Sequence, residues 1–417
     1  MAQLTDDCFA FGGPLMTIED AVALIGERLP AIEASETIPL GLADGRIAAG
    51  DVTARIDLPP FRNSAVDGYA VRYDDLAPDG ETRLPLRGRL AAGASAEAVS
   101  AAGAAVRIFT GAPMPADADT VFMQEDVRLE GDGVVLPAGL KRGANSRPAG
   151  EDLARGAVAI PAGRRLTPQD LALAAATGHA GIRVRRRLKV ALFSTGNELI
   201  ALGEALGPGA IHDSNRVMLA ALLTRLGVEV DDLGILRDEG GTLIANIARA
   251  AADHDLILTS GGVSTGEEDH VKAAVEAAGR LVFWRLAIKP GRPVAMGVVG
   301  GTPFVGLPGN PVAVYVTLLF VVRPLLARLG GATYERPLGL PVRAAFAYRK
   351  KTGRREFVRV NLRRAADGTV EAVKFPREGA GVITSLTGSD GLAELADDAR
   401  GVAEGDTILF HPHAALL

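Results

Sequence analysis

The residues best suited to hold a charged ligand are concentrated between Asp255 and Pro311, where short apolar runs each lead into a turn rich in Gly, Ser, Thr or acid. Asp255 to Thr259 has a buried-strand pattern, and Ser260-Gly261-Gly262 after it allows a sharp turn with exposed N–H groups, next to a helix starting near Glu268 or Asp269. A second turn, Gly306-Leu307-Pro308-Gly309-Asn310-Pro311, leaves another strand and opens a long apolar helix, with Asn310 placed to cap it and Pro311 at its first position. Between them, Lys289-Pro290-Gly291 offers a point charge on a rigid turn. Glu198, Asp213, Asp238 and Asp269 fall just after strands or in the turns that follow. Any one of these turns is ordinary turn chemistry. Together, two anion-receptive helix starts, a lysine and a rim of carboxylates point to a phosphorylated small molecule and a divalent metal.

An α/β unit must position them. From Lys189 the chain reads strand, helix, strand, helix: Val190 to Phe193, a helix with Met218, Leu219, Leu222, Leu223 and Leu226 on one face, Val228 to Gly234, then a helix facing inward with Leu243, Ile244, Ile247 and Ala251. That spacing predicts a parallel, doubly wound sheet with helices on both faces and its ligand at the carboxyl ends of the strands. The rest of the chain reads differently. Thr17-Ile18-Glu19-Asp20 and Thr167-Pro168-Gln169-Asp170 are helix starts, residues 81–137 alternate as strands, and the last 80 or so residues read as a β unit with an Asp367-Gly368 hairpin turn. Three polar spots stand out in the first half: Asp67 at a loop tip after Pro59-Pro60, Thr110 at the edge of a stiffened turn ending in Pro113 and Pro115, and Arg147 in a loop. A capping aspartate and a solvated arginine are the plain alternatives for two of them.

Composition sets limits. The chain has 417 residues, 48% of them hydrophobic and 23% charged, enough for two to four domains. A net charge of -5 gives no electrostatic reason for a nucleic-acid partner, and the lone Cys8 excludes a disulfide framework, which predicts a cytoplasmic protein. The acidic N-terminus lacks a signal-peptide pattern. Val312 to Val322 is the longest apolar run, and Arg323-Pro324 is expected to end it short of bilayer thickness, so no membrane span is predicted.

The motifs DLPPFRNSAVDGYAVR, TGAPMP, STGNEL, SNRVML, SGGVSTGEEDHVK, FWRLAIKPGRP and GLPGNPV, in this order, resemble the molybdopterin molybdenumtransferase (MoeA) family from about residue 15 to the C-terminus. The resemblance implies a multi-domain α/β plus β protein in four parts. These are an elongated linking domain (15–52 and 153–187, its N-terminal helix over 17–29 packing on the α/β part), an inserted β domain (53–152), a MogA/MoaB-like doubly wound α/β domain (188–332) and a C-terminal β-barrel-like domain (333–417). It implies a homodimer with the site shared between subunits. The implied reaction joins molybdate to adenylylated molybdopterin with Mg²⁺, giving molybdenum cofactor and AMP, the substrate being supplied by an adenylyltransferase. Carried over position by position, the resemblance puts Asp67, Thr110, Arg147, Glu198, Asp238, Asp269, Arg285, Lys289, Pro308, Pro311 and Arg359 at the site. Ser260, Gly261, Gly262, Gly309 and Asn310 join them through the two turns, and Asp238, Asp269 and Glu198 are the candidate metal ligands. Two positions depart from the family: Arg285 where Lys is frequent, and Ala380 where many relatives carry a Ser thought to face the oxyanion.

Two other readings share part of the pattern. The sibling enzyme that adenylylates molybdopterin from ATP would account for residues 188 to 330 and leave the DGYA and TGAPMP loops idle. A non-catalytic scaffold with the same fold would need none of the acidic positions that this chain retains.

Overall fold

The computed structural model describes residues 15–237, 242–261 and 270–416. Its centre is a six-stranded sheet in the order Glu229–Ile235, Lys189–Ser194, Leu256–Ser260, Thr302–Leu307, Pro293–Val299, Gly279–Arg285. The first four strands are parallel, as expected, but Pro293–Val299 runs antiparallel to both neighbours. Gly300-Gly301 is the reason. Both glycines have positive φ (56° and 87°), the backbone of a two-residue hairpin turn, so the strands before and after them must fold back on each other.

Successive strand residues point to opposite faces, and both faces are buried. Val190, Leu192, Leu256, Leu258, Val305 and Leu307 pack against the helices Ile18–Arg28, Ser214–Arg225 and the long helix 311–329. Ala191, Phe193, Ile257 and Phe304 pack against Thr242–Asp253 and His270–Ala278. The helix Pro311–Leu329 differs from expectation. It passes through Arg323-Pro324 and runs 19 residues, because a π-turn over Leu318–Val322, with the Arg323 N–H on the Leu318 carbonyl, widens the helix just where the proline ring would clash and its missing N–H would break the ladder. It is long and apolar enough to cross a bilayer, yet 89% of its span is buried inside the protein, which makes it a core helix.

The first half of the chain builds a sheet in the order Thr120–Met123, Gly68–Val71, Ala105–Ile108, Thr82–Leu90, Gly133–Leu136, Arg128–Glu130. Two narrow ribbons connect it to the centre: Ser35–Pro39 pairs with Gly181–Arg185, and Val52–Thr53 with Val158–Ile160. Both predicted capping boxes form, at Thr17/Asp20 and Thr167/Asp170. At the other end, five strands close into a barrel: Arg355–Arg364, Val370–Lys374, Leu340–Ala344, Thr407–Pro412 and Gly391–Leu395, the last pairing back with the first. A short strand, Ile288–Lys289, joins the barrel to the α/β unit by pairing with Arg355 and Glu356.

Candidate functional site

A cleft of about 90 Å³ lies at the carboxyl ends of the parallel strands, lined by Thr195, Glu198, Asn215, Ser260, Gly261, Gly309 and Pro311 among others. Asn215, in the first turn of its helix, donates to Ser260 Oγ (3.0 Å) and to the Gly309 carbonyl (2.7 Å), so one side chain ties the two glycine turns together. Its Oδ1 and the Thr195 hydroxyl are buried and have no hydrogen-bond partner among the described residues. Glu198 is exposed and folds back over Gly196, with Oε2 2.6 Å from where a Cβ would sit. Gly261 has φ +84°, and a Cβ there would meet the Thr195 carbonyl at 2.4 Å; no other residue fits this crossing of two strand ends.

Three expectations change here. The Gly261 N–H is not open to an anion, because it donates to the Leu307 carbonyl (3.2 Å). Asn310 sits at the cap position without a side-chain capping bond, and the Val312 N–H goes to the Ala380 carbonyl (3.0 Å) from the barrel. Asp213 is no rim acid: it is buried, caps its helix on the Arg216 N–H (3.3 Å), accepts from Ser194 Oγ (3.1 Å) and pairs with Arg216 Nε at 2.7 Å. Gly262, Asp238 and Asp269 lie outside the described residues. Among the described residues no three acids or histidines gather as a metal group. What is present is Glu198 with the unpartnered oxygens of Thr195 and Asn215, an oxygen-only set of the kind a hard cation such as Mg²⁺ takes.

A second group forms where the barrel meets the α/β unit. Lys289 Nζ donates to Glu356 Oε2 (3.1 Å) and Tyr348 Oη (2.9 Å), Tyr348 Oη donates to the same Oε2 (2.8 Å), and Arg354 Nε donates to Oε1 (2.8 Å). Glu356 is buried, so this carboxylate is the anchor that fixes Lys289. Burial would lower the lysine's pKa, but the Tyr348 and Glu356 bonds outweigh it and hold the ammonium above its usual value. Lys289 and Lys374 both lie over the Tyr348 ring, at 5.6 and 5.4 Å from its centroid. Arg359 is buried, donates from Nε to Ser385 Oγ and from Nη2 to the Gly379 carbonyl (both 3.0 Å), and its pKa is pushed down by burial. The loop it holds, 379–381, is the one whose Ala380 carbonyl binds the helix start at Val312. Arg285 and Pro308 stand nearby in sequence, Arg285 exposed and Pro308 half-buried, with Pro308 leading into the 309–311 turn.

The third group is Asp67, Thr110 and Arg147. Asp67 Oδ1 accepts from the Thr110 N–H (2.8 Å) and Oγ1 (2.7 Å), and these two bonds, the backbone one first, hold its carboxyl below the usual range. It is therefore kept ionised, which argues against Asp67 as a proton donor. Arg147, exposed, pairs with Glu151 at 2.8 Å and lies on the strand opposite Asn63–Ser64, in the same loop cluster. Among the described residues no hydrogen bond or ion pair joins this group to the other two. Sequence reading missed Asn215, Thr195, Tyr348 and Glu356 as site residues. Asn215 and Thr195 lie in the SNRVML and STGNEL motifs, where residue type alone does not separate a cap or turn from a ligand contact, and Glu356 is one acid after the basic run 349–355 whose partner Lys289 lies 67 residues away.

A ligand cleft at the carboxyl edge of such a sheet, continued by a barrel that supplies cations, marks a multi-domain α/β protein built to hold an anionic ligand. Residues 191–328 match the family described as "Probable molybdopterin binding domain", residues 16–178 the "MoeA N-terminal region (domain I and II)", and residues 341–413 the "MoeA C-terminal region (domain IV)". The chain belongs to the MoeA family, and it is a transferase. It is 37% identical to a molybdopterin molybdenumtransferase of Haemophilus influenzae, over 97% of this chain and all of the relative. It is 36% identical to molybdopterin molybdenumtransferase 2 of Mycobacterium tuberculosis, over 88% of this chain and 93% of the relative. The fold is similar to a molybdopterin biosynthesis moeA protein from Pyrococcus horikoshii, with a TM-score of 0.80 at 28% identity, covering 96% of this chain and all of that one.

Proposed function

We propose that this protein inserts molybdate into adenylylated molybdopterin, releasing AMP and forming molybdenum cofactor, as a homodimer whose site needs both subunits. The observation that carries the reading is the pairing of two incomplete groups. The Asn215-braced cleft with Glu198 and the Lys289–Arg359 group adjoin through the Ala380–Val312 bond, whereas among the described residues no hydrogen bond or ion pair joins Asp67, Thr110 and Arg147 to them. A second subunit would bring the third group to the first two.

In this reading the pyrophosphate of the adenylylated pterin lies along the 260–261 and 308–311 turns, oriented by Asn215, and Lys289 and Arg359 hold the oxyanion; Arg147 and Arg285 add charge at the rim. Mg²⁺, held by Glu198 with Asp238 and Asp269, would neutralise phosphate charge. Lys289 is kept charged by Glu356, and Arg359 is aimed by Gly379 and Ser385, so neither has to reorganise to meet an anion. We divide the chain at 15–52 with 153–187, 53–152, 188–332 and 333–417, expect the substrate from an adenylyltransferase, and assign the protein to the cytoplasm on its single Cys8.

The test is complementation between two inactive variants. Asp67→Ala and Lys289→Ala chains, each inactive alone, are co-expressed with different tags and the mixed dimer is purified. A shared site leaves one of the two sites in the mixed dimer intact, so roughly half of wild-type AMP release returns. If every site is built within one chain, no activity returns, and the reading fails.

A further inference from the structure

The helix Ser214–Arg225 that starts at the cleft ends in a second, larger cavity of about 740 Å³, lined by Arg165, Arg187, Arg225, Arg323, Tyr334 and others. Twelve residues of helix place it roughly 18 Å from the cleft. Arg165 Nη1 and Arg187 Nη1 converge over Gly227, 3.3 and 3.6 Å from the point where a Cβ would sit. That glycine has φ +82° and ends the helix.

Helix capping explains only part of this. Arg165 Nη1 donates to the Gly45 and Leu226 carbonyls, Arg187 Nη1 to Gly227 and Arg323 Nη1 to Leu416, one nitrogen of each guanidinium. The remaining donors of all three find no partner among the described residues, and none of the three pairs with a carboxylate. Among the described residues the acids that line the cavity, Asp44 and Glu335, form no ion pair, and the fifth arginine, Arg164, is neutralised by Asp170 at 2.8 Å. Arg165 has its pKa lowered by burial and by the like charges of Arg323 and Arg187. Water still reaches Arg165, which is exposed, and Arg187 and Arg323, which are half-buried, but like charges gathered around an open volume favour an anion among them.

We propose that this cavity binds a small phosphorylated molecule, its phosphate held by Arg165, Arg187 and Arg323. A tetrahedral oxyanion alone would leave most of 740 Å³ empty, and the Leu226, Leu326 and Ala327 side of the cavity suits an organic body on that phosphate.

Isothermal titration of the full-length protein with inorganic pyrophosphate, and separately with phenyl phosphate, tests it. Both should bind saturably, the ester at least as tightly. Arg323→Gln and Arg187→Gln should each weaken binding on the order of tenfold or more, as loss of a charge-assisted contact does. Asn215→Ala, in the cleft, should leave the ester's isotherm unchanged. Absence of saturable binding would overturn the proposal, as would isotherms indifferent to both cavity variants or ester binding abolished by Asn215→Ala. A shift in oligomeric state on Arg323→Gln with no anion effect would likewise overturn it, since a second copy would then be filling the cavity.

Discussion

Glu356→Gln separates a lysine that acts from a lysine that is merely near. Glu356 is 1% exposed and accepts from three donors: Lys289 and Tyr348 on Oε2, Arg354 on Oε1. Gln keeps the shape but replaces one oxygen with an NH₂, so either Arg354 or the Lys289–Tyr348 pair faces a donor, and both cations lose their counter-charge. A charge-assisted hydrogen bond contributes about 1.5–3 kcal/mol. The side chains of Lys289 and Arg354 are 46% and 35% exposed and can turn to water, so the lower end, about 1.5 kcal/mol, applies. Lys289 then wanders, and substrate KM should rise about tenfold while kcat falls less. Steady-state AMP release from adenylylated molybdopterin measures this, and a double-mutant cycle decides it: in a Lys289→Ala background the Glu356→Gln effect on KM should vanish. Equal effects in both backgrounds would show that Glu356 only holds the barrel together and refute its positioning of Lys289.

Thr110→Val removes one of two bonds that depress the Asp67 carboxyl. A depressed carboxyl stabilises the fold above its unfolded value of about 3.9 and loses that contribution as pH falls through the lower folded value. The acid limb of activity should therefore move to higher pH in the variant, read from a pH–rate profile; an unmoved limb would detach Asp67 from catalysis. Gly261→Ala places a methyl 2.4 Å from the Thr195 carbonyl at φ +84°, and should lower the thermal midpoint and abolish turnover; normal activity would show that the strand ends can part freely. Asp269→Asn, proposed from sequence alone, should leave folding intact and cut AMP release on the order of a hundredfold; normal turnover at limiting Mg²⁺ would reduce Asp269 to a helix cap.

Local rules were legible wherever the sequence carried its own partner. Both capping boxes and the Asp367-Gly368 hairpin between Arg355–Arg364 and Val370–Lys374 form because their hydrogen bonds close within a few residues. The reversed strand Pro293–Val299 was legible too, in Gly300-Gly301, but only to a reading that weighs turn handedness above strand–helix alternation. Charge fate was not legible. Glu198 and Asp213 look alike in sequence, each after a strand, yet one is exposed at the rim and the other is closed on Arg216. Glu356 became visible as a site residue only when Ile288–Lys289 paired with a strand 67 residues away.

The Ala380 position turns on backbone rather than side chain. Its carbonyl takes the Val312 N–H, and Arg359 grips the preceding carbonyl at Gly379, so the loop is held over the helix start without any hydroxyl at 380. If a serine at this position serves only to hold the loop, Ala380→Ser should change neither stability nor molybdate KM. If it faces the oxyanion, the added hydroxyl should lower molybdate KM severalfold at unchanged thermal midpoint, because one more donor meets the anion without disturbing the backbone bonds. The geometry favours the second outcome. The loop already has its anchors in Arg359 and Val312, and Ser385 already satisfies Arg359 Nε, which leaves a hydroxyl at 380 no structural bond to make among the described partners of this loop. An unchanged molybdate KM would show that the oxyanion does not approach this loop and would remove Arg359 from its proposed role.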